Sequence, residues 1–326
     1  MSVWTISEYE HDGPSYETKR LAEELQRSFP GESVVSHNID DLDVLALSAR
    51  TLLTVKNELF RQLPQLVIVR DASLEKYSQW VPVLSYLEGD GVLCINDLES
   101  IQLTANKFTM GRRLLDAGIP TPAFHHVDEK TCSKEVGALF GWPLVVKQAY
   151  GTHGIGVTLA HTPKEFKEQV ASFRRSDPKI PVMAQQFVKQ SFGRDVRAFV
   201  IGDTVVAAML RQAKVKEEFR SNYHLGGEVS PFSLDQAGQA IAIGAARALG
   251  LKYAGIDLLF DATSYTVCEG NKGAGFKGLE KAYPQVNVAG ALVQYCTEQA
   301  NACRYGYRTA SSRASHTPSW DYLEPR

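Results

Sequence analysis

The stretch Asp257-Leu258-Leu259-Phe260-Asp261-Ala262-Thr263-Ser264-Tyr265-Thr266-Val267-Cys268-Glu269-Gly270-Asn271 reads as two short strands around a turn. Val, Leu, Phe, Tyr and Thr favour extended chain, and Asp261-Ala262-Thr263-Ser264 supplies turn residues between two such runs. Side chains alternate along a strand, so Glu269 and Asn271 share a face. With Ala262 to Ser264 as the loop, Asp261 pairs with Tyr265 and the ladder carries Asp257 directly opposite Glu269. Two facing carboxylates repel unless a cation lies between them. Asp, Glu and an Asn carbonyl form an all-oxygen donor set that suits a hard ion such as magnesium. Two solvated acids on an exposed hairpin would produce the same pattern, so the rest of the chain has to decide.

The chain has 326 residues, 44% hydrophobic and 22% charged, which fits a globular protein of about two domains with ample core. A formal net charge of -2 and the lack of a long basic block argue against a nucleic-acid binder. The N-terminal residues Met1 to Asp12 are polar and acidic, unlike a secretory signal, and no apolar run is long enough to span a membrane. The cysteines Cys94, Cys132, Cys268, Cys296 and Cys303 are odd in number and contain no CxxC pair, against both a disulfide framework and a zinc site. These features predict a reducing, cytoplasmic setting.

Upstream of the hairpin, Leu21, Ala22, Leu25 and Phe29 recur at helical spacing from Ser15, and Pro30-Gly31 ends the pattern. A second helical pattern is expected through Leu45, Ala49, Leu52, Leu53, Leu59, Phe60 and Leu63. Leu66-Val67-Ile68-Val69 and Val92-Leu93-Cys94-Ile95 are continuous apolar runs of the kind buried in a parallel sheet, with a helix from Lys76 to Glu88 between them. Residues 1–98 therefore predict a small open α/β domain whose ligands sit beyond the strand C-terminal ends. Arg70 and Asp71 stand at such an end, as a substrate contact or a surface ion pair. Lys107 to Ala117 is helical and closes at Gly118, Pro120 and Pro122.

Residues 99–183 predict a second unit, with a helix from Ser133 to Phe140, a strand Pro143 to Lys147 and a helix Lys164 to Phe173. After the strand comes Gly151-Thr152-His153-Gly154-Ile155-Gly156-Val157, whose glycines expose backbone amides and allow close approach to phosphate oxygens. It is neither a Walker loop nor the dinucleotide fingerprint, and because a strand follows, it predicts a hairpin tip folding over a nucleotide. Residues 184–303 predict a third unit with an antiparallel sheet. Its strands precede and follow the Gly202-Asp203 turn, a polar loop runs from Arg211 to Gly227, helices span Leu234 to Leu249 and Val286 to Cys303, and the acidic hairpin lies between those helices. Residues 304–326 lack periodicity and predict a disordered tail.

Lys107, Pro143 to Lys147, Gly151 to Val157, Arg220-Ser221-Asn222, Asp257 and Glu269-x-Asn271 occur in an order that resembles the RimK-like ATP-grasp ligases, from about Gln65 to Cys296. The resemblance implies an α/β (α+β) ATP-grasp fold behind an N-terminal open α/β domain. It implies ATP contacts at Lys107, Lys147, Gly151, Thr152, Gly154, Gly156, Asp195, Arg220, Ser221 and Asn222, and an adenine edge at Gln185, Gln186, Phe187 and Val188. Asp257, Glu269 and Asn271 match the family's magnesium ligands, with manganese as a substitute ion. Arg197, Arg211 and Arg220 are the implied catalytic residues, stabilising the phosphoryl group or the acyl phosphate.

The activity so implied is α-L-glutamate ligase-like. A carboxylate is activated by ATP as an acyl phosphate and then joined to the amine of an amino acid such as glutamate. The expected partners are that amino acid and a small-molecule, peptide or carrier-protein acceptor, with neither nucleic acid nor membrane, and homo-oligomers by analogy. A nucleotide-binding regulator that keeps the fold without ligation is the reading of another class. Two departures stand out. Gln185-Gln186 replaces the usual Gln-Glu, and Lys272-Gly273-Ala274-Gly275-Phe276-Lys277-Gly278 replaces Ala-Ser-Pro-Gly and looks closer to ligases of amino-group carrier proteins or coenzyme side chains. Lys272 and Lys277 would suit an acidic substrate, or be solvated loop charges.

Overall fold

The computed structural model describes residues 2–311, except 10–11, 49–50, 61, 74–75, 129, 152–153, 155 and 222–226. Its N-terminal unit comprises strand β1 (Ser2–Ser7), helix α1 (Tyr16–Ser28), β2 (Ser33–Asn38), β3 (Leu42–Ala46), β4 (Thr51–Val55), β5 (Glu58–Phe60), β6 (Leu66–Val69), α2 (Tyr77–Gly89) and β7 (Leu93–Ile95). Strands β2-β1-β6-β7 form a parallel sheet. Helix α1 starts where Ser15 Oγ accepts from the Thr18 N–H, and it buries Leu21 and Leu25. The helix expected through Leu45 to Leu63 is not formed. Strands β3, β4 and β5 make an antiparallel ribbon instead. Thr51, Thr54 and Val55 resist helix through their β-branched side chains, and Lys56 and Asn57, at φ 51° and 66°, close a two-residue hairpin turn.

The middle unit contains α3 (Leu98–Ala105), α4 (Lys107–Asp116), β8 (Phe124–Val127), α5 (Ser133–Phe140), β9 (Leu144–Gln148), β10 (Val157–Ala160), α6 (Pro163–Ser176) and β11 (Val182–Gln186). Its four-stranded sheet runs β10-β9-β11-β8, all antiparallel, and the glycine run joins β9 to β10 as a hairpin. Leu144, Val146, Val182 and Ala184 bury one face under Phe166 and Val170 of α6.

The C-terminal unit holds β12 (Arg194–Ile201), β13 (Thr204–Gln212), β14 (Glu228–Pro231), α7 (Gln236–Ala248), β15 (Tyr253–Phe260), β16 (Tyr265–Asn271), α8 (Lys277–Ala282) and α9 (Val288–Ser311). The sheet order is β14-β13-β12-β15-β16, antiparallel throughout. Alternation divides β12 cleanly. Val196, Ala198 and Val200 face the core shared with α7 and α4, while Phe199 and Ile201 face a core shared with α9 and with Val3, Leu25 and Ile68 of the N-terminal unit. Helix α9 continues through Ser311, beyond Arg304 where an irregular tail is expected, and residues 312–326 lie outside the described chain. No helix among the described residues is long and apolar enough to cross a membrane.

In the acidic hairpin, Asp257 pairs with Glu269, as the pattern predicts, by a different route. Phe260 pairs with Tyr265 and Leu258 with Val267, one step off the expected register, and an irregularity between Asp257 and Leu258 restores it with Cys268 as the extra residue. The Val267 N–H instead donates to the Pro120 carbonyl at 2.7 Å, fastening this strand to the linker that leaves α4.

Candidate active site

The face of the C-terminal sheet that packs on the N-terminal unit is apolar at one end and charged at the other. Asp195 and Arg197 continue the row of Phe199 on β12, and register sets Arg211 beside Asp195 and Asp257 beside Arg197. Arg197 grips Asp257 bidentately, Nε to Oδ1 at 2.7 Å and Nη2 to Oδ2 at 2.8 Å. Arg211 grips Asp195 in the same way, with Nε to Oδ1 at 2.7 Å, and reaches Asp257 Oδ2 at 2.9 Å. Burial is the largest influence on the Asp257 carboxyl and pushes its pKa up. Arg197 and Arg211 together outweigh it and hold the group at about 2. Burial likewise opposes the charge of Arg211, and Asp195 and Asp257 more than restore it. Gly255 makes this packing possible, because a Cβ there would lie 2.6 Å from Ala274 Cβ and 3.2 Å from Arg197 Cδ.

Asn271 Nδ2 donates to the Gly255 carbonyl at 3.1 Å and to Asp257 Oδ2 at 3.2 Å. Glu269 is half-buried and makes no hydrogen bond or ion pair with another described residue. Each carboxylate oxygen has two lone pairs, and Asp257 Oδ1 accepts only the Arg197 bond. The set of Glu269, Asp257 and the Asn271 amide carbonyl therefore fits an oxygen-liganded divalent cation such as magnesium. Among the described residues no three His, Cys, Asp or Glu side chains gather, in keeping with two acids and an amide.

The two lysines come from the middle unit. Lys107 begins α4, where Asn106 Oδ1 caps the Phe108 N–H at 2.8 Å, and its own N–H donates to the Ala149 carbonyl at 2.8 Å. Its Nζ donates to the Gly151 carbonyl. Lys147 is 4% exposed and donates to Gln185 Oε1 at 2.9 Å. Burial lowers its pKa most, Cys268 and Glu269 favour its charge, and Lys107 opposes it. Gly151, Gly154 and Gly156 all have positive φ, and a Cβ on Gly156 would lie 2.5 Å from Gln148 Oε1.

Arg220 comes from the polar loop rather than the sheet. Glu218 holds it through Nε at 2.9 Å and Nη2 at 2.8 Å, and its Nη1 donates to the Gly154 carbonyl at 3.1 Å. That carboxylate is the main reason its pKa is raised, and Glu218 is in turn lowered by Arg220. Ser221 is buried, whereas Thr152 and Asn222 lie outside the described residues. Gln186, Phe187 and Val188 line a cavity of about 500 Å³ with Pro120, Trp142 and Asp261, and none of the charged groups above enters it.

Arg70 does pair with Asp71, Nη2 to Oδ1 at 3.4 Å, but from a buried position rather than at the surface. It is 1% exposed, donates to the Ala274 carbonyl at 3.0 Å, and lies 5.9 Å from the ring centres of both Tyr253 and Phe276. The sequence pattern also passes over Glu218 and Asn96. Asn96 accepts from the Lys252 N–H at 2.7 Å and donates to the carbonyls of Tyr253 and Lys272, both at 2.9 Å. A polar residue directly after an apolar strand run is the only signal that could have marked it.

Residues 104–296 match the model of the RimK-like ATP-grasp domain. The chain belongs to the RimK-like ATP-grasp family. A probable alpha-L-glutamate ligase 1 of Shewanella denitrificans is 37% identical over 248 residues, covering 75% of this chain and 82% of that one. A probable alpha-L-glutamate ligase of Legionella pneumophila is 34% identical over 227 residues, covering 69% and 74%. The ATP-grasp ligase PsnB, solved with a phosphomimetic variant of its minimal precursor, Mg and ADP, superposes with a TM-score of 0.65 at 19% identity, covering 92% of this chain and 98% of that one. This RimK-like protein is thus an ATP-dependent ligase, in a family for which ATP and magnesium are typical.

Proposed function

We propose that this ligase joins the amine of an amino acid, glutamate first among them, to the carboxylate of a small-molecule, peptide or carrier-protein acceptor. The supporting observation is that Arg197 and Arg211 hold Asp257 opposite Glu269, with Asn271 bonded to the same carboxylate, while Lys107 and Lys147 are anchored at the base of the glycine hairpin. The names of the curated relatives support glutamate.

The substrate carboxylate oxygen attacks the γ-phosphorus of ATP in line, the bond to the bridging oxygen breaks, and ADP leaves. The amine nitrogen then attacks the acyl phosphate carbonyl, phosphate departs, and the amine loses a proton as the amide forms. Bound magnesium, held by Asp257, Glu269 and Asn271, supplies charge neutralisation at the phosphates. Lys147, on β9 opposite Val157, and Lys107, which bonds the Gly151 carbonyl, hold phosphate oxygens. Arg197 and Arg211 keep Asp257 ionised and offer guanidinium donors to charge developing on the transferred group. Arg220 ties the polar loop to the glycine hairpin through Gly154, so that both close over the nucleotide and exclude water. No nucleophilic side chain is required, since positioning and electrostatics supply most of the rate.

The test is ADP release with ATP, magnesium and L-glutamate against a panel of carboxylates, with product masses read alongside. Products at the mass of a condensation support the proposal. ADP release without any condensed product would point to phosphoryl transfer alone.

A further inference from the structure

Asn96 follows β7 and precedes Asp97, whose Oδ1 caps α3 by accepting from the Ser100 N–H at 2.9 Å. It is 1% exposed, and its side-chain amide bonds only to backbone of the C-terminal unit. Oδ1 accepts from the N–H groups of Lys252 at 2.7 Å and Tyr253 at 3.2 Å, and Nδ2 donates to the carbonyls of Tyr253 and Lys272, both at 2.9 Å. An amide side chain offers two donor hydrogens and an oxygen with two lone pairs, so every bond this group can make is used. Nothing of it is left over for a ligand.

Both strands of the metal hairpin are thereby held by a residue from another unit. Tyr253 opens β15, and Lys272 directly follows β16, just beyond the ladder pair Gly255 with Asn271. Where that ladder stops, Asn96 adds one more rung. The rung bears on the metal set because Asn271 stands at the ladder's end, where its Nδ2 reaches the Gly255 carbonyl at 3.1 Å and Asp257 Oδ2 at 3.2 Å. Strand ends open before strand centres, and an opened end would carry the Asn271 amide away from Asp257.

The loop beyond Lys272 is seated as closely. Arg70 Nη1 holds the Ala274 carbonyl at 3.0 Å, and a Cβ on the intervening Gly273 would lie 3.0 Å from the Asp71 backbone nitrogen and 3.4 Å from its Cα. Backbone cannot yield as the far end of a flexible side chain can, so a larger residue at 273 must shift the loop.

We propose that Asn96 is a positioning residue for the metal site. By tying Tyr253 to Lys272 it holds the Asn271 amide against Asp257 and sets the separation of the oxygen ligands on the two strands. This assignment rests on the ligase function proposed above, in which Asp257, Glu269 and Asn271 hold the metal. Tyr253 is four residues from Asp257, about 13 Å along an extended strand, so Asn96 acts through the hairpin and not at its ligands.

Manganese is titrated into the full chain saturated with ADP, and the free ion is followed by its electron paramagnetic resonance signal, without turnover. Asn96→Asp keeps the shape and both acceptor bonds but removes the two donor bonds to the carbonyls. Gly273→Ala disturbs the same joint from the loop side and leaves Asn96 intact. Each is expected to weaken manganese binding at least about tenfold, the scale of a lost outer-sphere partner, while ADP affinity without metal stays within about twofold. Val83→Ala, a destabilising change in the core on the other face of the N-terminal sheet, should bind manganese as wild type does. If Asn96→Asp does not fold, Gly273→Ala decides alone. Unchanged manganese affinity in the folded variants, or an equal loss in Val83→Ala, would overturn the positioning role. Glu269→Gln separates that failure from failure of the metal set. Full manganese affinity in Glu269→Gln removes the ligand set and the positioning with it, whereas affinity lost there but kept in Asn96→Asp and Gly273→Ala overturns the positioning alone.

Discussion

At the residue scale, Glu269 and Asp257 carry different loads although they face one another. Glu269 has no protein partner among the described residues, so Glu269→Gln should melt like wild type while magnesium-dependent turnover falls by roughly 100-fold. An unchanged rate would remove it from the metal set. Asp257 neutralises the buried Arg211 and the half-buried Arg197, and Asp257→Asn should therefore also cost about 3 kcal/mol in chemical denaturation. The facing pair was legible from strand alternation. Its arginine partners were not, because cross-strand neighbours belong to strands whose register no local pattern announces. A residue remote from the chemistry yields a pH prediction. His37 is buried against Trp4, ring centres 4.4 Å apart, and burial lowers its pKa. The unfolded chain then binds the proton more readily, so stability is full above the ordinary value of about 6.5 and is lost as pH falls through the folded value. Denaturation between about pH 7.5 and about pH 5 should show a smaller loss in His37→Phe than in wild type, and equal losses would contradict it.

At the scale of elements, the hairpin β15–β16 depends on small residues as much as on its acids. Gly255→Ala sets a methyl against Ala274 and Arg197, which predicts a destabilisation of about 1–3 kcal/mol and a larger fractional loss of activity than of folded protein. Normal turnover in that variant would show that Arg197 tolerates displacement. Strands with continuous apolar runs, such as β6 and β9, and helices with clear stripes and caps, such as α1 and α6, could be read directly. Strand β1 could not, since Ser2, Thr5 and Ser7 break its apolar run, yet Thr5 and Ser7 are fully buried there. The ribbon β3–β4–β5 was misread as helix because Leu45, Leu52 and Leu59 satisfy a helical spacing. Leu45 and Leu59 are exposed and Leu52 is half-buried, so these residues bury no helix stripe.

At the scale of the whole molecule, the N-terminal and C-terminal sheets share one apolar core through α1 and α9, whereas the middle sheet keeps its own around Leu144 and Phe166. Native-state hydrogen exchange should find β1, β6, β12 and β15 opening together and β8–β11 opening at lower free energy. Earlier loss of protection in β1 and β6 than in β12 would contradict the shared core. That sharing was invisible in the chain, for periodicity marks which face is buried but not what buries it. It also places the N-terminal strand ends against the loop that follows the metal strand, so the two units act as one support for the site. In the proposed reaction a carboxylate is phosphorylated before the amide forms. The most direct measurement supplies the active acceptor with heavy oxygen in its carboxylate and follows the label by mass. Transfer of label into the released inorganic phosphate is the predicted result, and unlabelled phosphate accompanying amide product would contradict it.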